Sequence, residues 1–330
     1  MSQFRKNMIT GEWVIFAANR RKKPYHFRKK ELSLDNSNVS HCQFCPGHEE
    51  ETPDAVYQDG TNGNWNIRVF KNLYPAVDTE CYEEKIEEFY TSNVGIGIHE
   101  VLVDTPNHFD TPENFSSVRI LKILNVIILR LKEIRKKDFI KYIQVFKNNG
   151  PEAGASIAHS HWQIIGIPLV PPKQENTVLN FKKYLEENQR CMLCSMAEYE
   201  LKNGERIIAE NKSFTAFVPY AAKFSFEIMV IPKRHVSSLT NFTKCEIKDM
   251  SEILVLIFDK VNTLKNGISY NICFQEKPEG CSESCFHWYM QIFPRLGAPA
   301  GFEFATGCYI NPLLPEDAAK IYRKGEKWNK

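Results

Sequence analysis

The chain has 330 residues, 43% apolar and 25% charged, the profile of a soluble globular protein long enough for one large domain or two ordinary ones. Its net charge of +2, with Lys and Arg scattered, gives no electrostatic basis for binding nucleic acid or a membrane surface. No stretch approaches the roughly 20 apolar residues of a membrane span, and the opening "MSQFRKNMITGEWVIFAANRRKKP" carries no signal-peptide pattern, so a cytoplasmic protein is expected.

The first marked element in chain order is "CQFC", Cys42 and Cys45, two of ten cysteines. In a reducing compartment such a pair reads as metal binding or redox chemistry, and the thioredoxin-like setting that redox pairs favour is not evident. An aromatic-rich strand follows at 66–77, then an alternating strand in "GIHEVLVDTPNH", ending on His108. A cap-like "DTPENFSS" opens a long amphipathic helix, "VRILKILNVIILRLKEIRKK". Next come the strand "FIKYIQVFKN", the small-residue loop "NNGPEAGAS" (148–156) and a strand entered through histidines, "AHSHWQIIGIP".

The same series then recurs. "CMLC" supplies Cys191 and Cys194, "SFTAFVPYAA" (213–222) and "FSFEIMVIPKRH" supply strands, and the latter ends on His235. The helix is "KCEIKDMSEILVLIFDKVNTLK", followed by the strands "SYNICFQE" and "CFHWYMQIFP". His108 lies 51 residues before His159, His235 lies 52 before His287, and each of the later histidines lies four before a glutamine, Gln163 or Gln291. His159 therefore matches His287, and the partner of His161 is Tyr289. The fold expected is α+β: two pseudo-symmetric halves, 1–175 and 176–330, each an antiparallel sheet with a long helix.

The duplicated residues form two Cys2His2 sets: Cys42, Cys45, His108 and His159, then Cys191, Cys194, His235 and His287. Thiolate and imidazole suit zinc, and four protein ligands leave no position for water, so both sites are expected to be structural. His41 and His48 flank the first pair without counterparts. Cys281 and Cys285 lie close enough to His287 to compete for metal. His99 has no evident counterpart and reads as an ordinary strand histidine.

His161 remains outside the metal sets. Strand alternation puts it on the same face as His159, and the preceding loop can bring backbone N–H groups close to a phosphate. A neutral His161, with one nitrogen held by a main-chain carbonyl, is a nucleophile toward phosphorus.

"HSHWQII" resembles the His-x-His-x-Gln signature of the galactose-1-phosphate uridylyltransferase branch of the histidine triad superfamily. The resemblance extends to "NRRKKP" (19–24), "FKNLYPA" (70–76), "VDTPNHFDTPENFS" (103–116), "FKNNGPEAGAS" and the tail "GFEFATGCYINPLLPEDAA" (301–319). The tail and second CxxC look most like ADP-glucose phosphorylase-type members with two zinc sites. The resemblance implies tandem histidine-triad-like halves and a ping-pong nucleotidyltransferase acting on an NDP-hexose, with hexose 1-phosphate or phosphate as acceptor. It implies His161 as nucleophile and Gln163 as its catalytic partner. Asn148, Gly154 and Ser156 would contact the phosphates, Arg20 and Lys23 would lie near the nucleotide, Asn72 and Tyr74 would line its pocket, and Glu303 would bind sugar. Leu73 stands where uridylyltransferases carry Asp, and Tyr309 where they carry a sugar-binding Gln. Base, sugar and acceptor stay open, including phosphorolysis of an ADP-sugar. A homodimer is implied as well. A reading of another class is a non-catalytic, zinc-stabilised nucleotide-binding module.

Overall fold

A computed structural model of the chain describes residues 2–6, 8, 11, 13–17, 39–79 and 89–328. The elements, in chain order, are β1 (Ser2–Lys6), β2 (Trp13–Ala17), β3 (Ala55–Thr61), β4 (Asn64–Lys71), β5 (Ser92–Val94), β6 (Ile98–Val103), α1 (Ser117–Arg135), β7 (Tyr142–Asn149) and β8 (His161–Ile167). The second half adds α2 (Pro172–Asn188), α3 (Met192–Asn203), β9 (Ile207–Glu210), β10 (Phe214–Phe217), β11 (Ile228–Pro232), α4 (Lys244–Leu264), β12 (Tyr270–Gln275), β13 (Tyr289–Pro294), α5 (Gly301–Thr306) and α6 (Pro315–Lys324).

The main sheet has ten strands in the order β3-β4-β6-β8-β7-β12-β13-β11-β10-β9. Read from the centre outward, each strand of the first half has a counterpart in the second. The halves join edge to edge through the antiparallel pair β7 and β12, where Asn148 faces Asn271 and Phe146 faces Cys273. Closing this seam removes two sheet edges that would otherwise expose unpaired backbone groups. A small sheet, β2-β1-β5, stands apart.

Alternation along each strand assigns the two faces. In β8, Trp162 and Ile164 enter the main core, while His161 and Gln163 point to the other side. The core face is covered by α1 and α4, which also pack on each other. Helix α1 buries Ile120, Ile123, Leu124, Ile127, Leu131 and Ile134 at helical spacing, and Ser116 caps it by accepting from the Arg119 N–H at 3.2 Å. Helix α4 begins with a capping box: Thr243 Oγ1 accepts from the Glu246 N–H, and the Glu246 carboxylate accepts from the Thr243 N–H.

The opposite face differs between the halves. On the second half, α2 and α3 lie over it, with Phe181 and Leu193 packed against Phe217, Ile231, Phe286 and Tyr289. Helix α2 follows β8 after residues 168–171 and meets this face through Val178, Phe181 and Leu185. On the first half a smaller cluster, including Phe44, Trp65, Phe70, Val101 and Val103, carries the first CxxC.

Candidate active site and metal centres

Both four-residue sets come together, each with ligand atoms within 4.8 Å of one another. In the first, Nδ1 of His159 lies 3.6 Å from Cys42 Sγ and 3.5 Å from Cys45 Sγ, and Nδ1 of His108 lies 3.4 Å from Cys45 Sγ. In the second, Nδ1 of His287 lies 3.5 Å from Cys191 Sγ and 3.4 Å from Cys194 Sγ, and Nδ1 of His235 lies 3.7 Å from Cys194 Sγ. A zinc tetrahedron with Zn–S about 2.3 Å and Zn–N about 2.0–2.1 Å places sulfur about 3.5–3.6 Å from nitrogen. The donor sets fit that ion. Burial and the neighbouring Cys42 push the Cys45 thiol up to about 12, so a cation between the sulfurs is what would hold both as thiolates.

One outer contact of each set is duplicated, whereas His235 Nε2 reaches the Glu283 carbonyl at 2.8 Å and His108 Nε2 has no partner among the described residues. His159 donates Nε2–H to the carbonyl of Thr105 at 2.8 Å, and His287 donates Nε2–H to the carbonyl of Pro232 at 3.1 Å. Thr105 and Pro232 each stand three residues before the other histidine of their set. Such bonds fix the tautomer and aim Nδ1 at the metal position. The first CxxC forms a turn, with the Cys45 N–H on the Cys42 carbonyl, and His48 donates Nδ1–H to that same carbonyl at 2.8 Å. The second CxxC corrects one sequence reading, because it does sit at a helix N-terminus: Cys191 is the N-cap of α3. It follows α2 rather than a strand, and its thiols face histidines. Cys281 and Cys285 stand outside the four-atom cluster, with sulfurs turned to the Ser282 and Val178 carbonyls.

His161 is held in the opposite tautomer. It donates Nδ1–H to the carbonyl of His159 at 2.8 Å, as the sequence predicts, which leaves the Nε2 lone pair free. His161 is 6% exposed, and burial, with the nearby Lys147 ammonium, pulls its pKa down to about 4, so the ring is neutral at physiological pH. Strand β8 begins at His161, so His159 precedes the strand instead of belonging to it. Ser160, between them, turns the other way and accepts from Lys147 Nζ at 2.7 Å. That ammonium also bonds Asp104 at 2.8 Å and the His161 carbonyl at 3.2 Å, clamping the histidine segment from beneath the sheet. Lys147 was not singled out by sequence reading. Neither was Phe44, inside the first CxxC, whose ring meets His161 edge-on at 5.3 Å between centroids. Its one sequence signal is the aromatic residue in "CQFC" where the copy has Leu193.

Gln163 lies two positions along the same strand face. His99 is no ordinary strand histidine: it is buried, and its Nε2 lies 3.0 Å from Gln163 Oε1 and 3.2 Å from Asn72 Nδ2. The Ala76 N–H reaches its Nδ1 at 3.0 Å, and the Tyr74 N–H donates to Asn72 Oδ1 at 2.9 Å. Asn72, Tyr74 and Gln163 are thus brought together around His99. Asn148 follows Phe146, the partner of Gln163 across β7 and β8, by two residues and accepts from Asn271 Nδ2 at 2.8 Å. The adjoining loop places Gly154 and Ser156 at the surface, with Gly154 in the left-handed region (φ 81°) that favours glycine. Glu303 lies in α5, where its carboxylate accepts from the N–H groups of Ala300, the N-cap of that helix, and Ile310 in the loop after it. Arg20 and Lys23 lie outside the described residues.

Comparisons with known proteins agree with this arrangement. Residues 1–171 match the model of the galactose-1-phosphate uridyl transferase N-terminal domain, and residues 177–322 match that of its C-terminal domain. The chain is 37% identical to ADP-glucose phosphorylase of Arabidopsis thaliana, over 98% of this chain and 92% of that protein. It is 31% identical to galactose-1-phosphate uridylyltransferase of Thermotoga maritima, over 99% of each. Among solved structures, an ADP-glucose phosphorylase from Arabidopsis thaliana with bound ADP-glucose superposes with a TM-score of 0.77 at 34% identity, over 98% of this chain and 99% of that one. A uridylyltransferase superposes with a TM-score of 0.84 at 26% identity, over 98% of each chain.

Proposed function

The chain belongs to the galactose-1-phosphate uridyl transferase family, and on that premise we propose that it is a nucleotidyltransferase working through a covalent intermediate on His161. The observation that carries this is the tautomer: Nδ1–H is held by the His159 carbonyl, and a neutral Nε2 is left facing the Gln163 side of the sheet. Nε2 attacks the α-phosphorus of an NDP-hexose, the bond to the bridging oxygen breaks, and hexose 1-phosphate leaves with that electron pair. A phosphate oxygen of the acceptor then attacks the same phosphorus, the N–P bond breaks, and neutral His161 returns. Neither step requires a proton transfer, because leaving group and acceptor are phosphate anions. Water as acceptor would have to lose a proton, and the third position is Gln163, which cannot act as a base.

Asn148, Gly154 and Ser156 would receive the phosphates, Asn72 and Tyr74 the nucleotide with Arg20 and Lys23 nearby, and Glu303 the sugar. Each Cys2His2 set would hold a structural zinc ion, and the first would fix the His159 carbonyl on which the His161 tautomer depends. The nine cysteines among the described residues are free thiols, which suits a reducing, cytoplasmic compartment. No described helix is long and apolar enough to cross a membrane. A homodimer would cover the exposed Phe302, Phe304, Ile310 and Leu314.

A second reading of the acceptor and base is favoured by the 37% identity to an ADP-glucose phosphorylase and by Leu73 at the uridylyltransferase Asp position. There the donor is ADP-glucose and the acceptor inorganic phosphate. Incubating the protein with UDP- and ADP-hexoses labelled in the nucleotide, followed by hexose 1-phosphate or phosphate, tests both readings. Discharge of labelled protein by inorganic phosphate selects phosphorolysis, and discharge by a hexose 1-phosphate other than the one released, with none by phosphate, selects transfer. Absence of label from every NDP-hexose sinks the enzyme reading and leaves the binding module.

A further inference from the structure

We propose that His99 is a positioning residue: it orients the side-chain amide of Gln163 so that both hydrogens of the amino group face the reacting phosphate. The inference rests on the nucleotidyltransferase reading and goes beyond it, because neither sequence pattern nor family signature gives His99 a part.

The Ala76 N–H can only donate, so His99 Nδ1 accepts it and carries no hydrogen. The one ring proton of neutral His99 is then on Nε2. Among the described residues two groups stand beside it, and Asn72 Nδ2 is itself a donor, since Asn72 Oδ1 is taken by the Tyr74 N–H. Gln163 Oε1, at 3.0 Å, is the acceptor that remains. The Gln163 amide is thereby locked with its oxygen inward, and its amino group has no acceptor among the described residues.

The copy shows what the same position does without this histidine. Gln291 matches Gln163, and Glu227, just before β11, stands where His99 stands in β6, two residues before the strand partner of that glutamine. Gln291 donates Nε2–H to Glu227 Oε1 at 3.1 Å and accepts from Gln275 Nε2 at 3.1 Å. Both ends of that amide are used within the protein. Replacing an acceptor carboxylate by a donor imidazole reverses the amide and turns two donors outward, which is what an anionic phosphoryl group requires.

The test is a double-mutant cycle on full-length zinc-loaded protein, read as the rate of nucleotidylation by the NDP-hexose that labels the wild type. His99→Leu should slow labelling at least tenfold with little change in half-saturation. His99→Gln, which can donate from its amide, should recover part of the loss. In a Gln163→Ala background, His99→Leu should cost less than twofold further. Full-rate labelling by His99→Leu, or an equal loss in both backgrounds, overturns the proposal, the latter because it marks a merely structural role. Thermal unfolding of each variant separates misfolding from slowed chemistry. Absence of label from wild type would instead defeat the enzyme reading.

Discussion

His159 donates Nε2–H to Thr105 and turns Nδ1 toward two thiols, whereas His161, two residues on, donates Nδ1–H to His159 and leaves Nε2 open. The carbonyl that sets the second tautomer belongs to the residue proposed to bind metal, so metal geometry and nucleophile geometry share one peptide. Lys147 completes that support. Its ammonium and the Asp104 carboxylate are 1% and 0% exposed; Lys147 bonds Asp104 Oδ2, and Oδ1 has no hydrogen-bond partner among the described residues. Lys147→Met would leave a buried carboxylate without its cation, a change that costs about 3–5 kcal/mol. Urea unfolding should show that loss, and Lys147→Met with Asp104→Leu should recover much of it. A single variant as stable as wild type would remove Lys147 from this account.

At the scale of elements, the two CxxC pairs sit differently. The first lies in a turn beneath β4 and β6 with all four ligands buried; the second opens α3, and three of its four ligands are half-exposed. A chelator should therefore take the second zinc first. Release should be biphasic in a colorimetric assay, and Cys194→Ser should lack the fast phase; loss of both ions in one phase would contradict this. The long helices and most strands of the repeat were legible in the sequence because each buries one face at its own period. Helices α2 and α3 were not; the apolar stripe of α2 is confined to Val178, Phe181 and Leu185, of which only Phe181 is buried. His99 and Phe44 were missed for a related reason. Each acts alone, at a position where the copy carries a different residue type, so the repeat that brought out the two Cys2His2 sets gave no signal for them.

For the whole molecule, duplication joined two halves into one sheet and then used them unequally. The β7–β12 seam pairs segments more than a hundred residues apart, which no local pattern predicts. Helices α2 and α3 cover one face of the second half: the Phe181 ring lies 6.4 Å from the Tyr289 ring, on the face that in the first half carries His161 and Gln163. Restoring histidine in the copy should not restore chemistry. In a His161→Ala background, Tyr289→His should remain unlabelled by any NDP-hexose, because Phe181 and its neighbours fill the approach to phosphorus. Label on residue 289 would show that α2 does not close that site.

The division of labour between the neighbouring histidines is tested most directly by peptide mapping of the covalent adduct, with zinc analysis on the same samples. Wild-type protein treated with its NDP-hexose should carry one nucleotidyl group, on the imidazole of His161, and about two zinc ions per chain. His161→Ala should lose the adduct and keep both ions, whereas His159→Ala should lose an ion. An adduct on His159, or loss of zinc in His161→Ala, would contradict the assignment of metal to one histidine and phosphorus chemistry to the other.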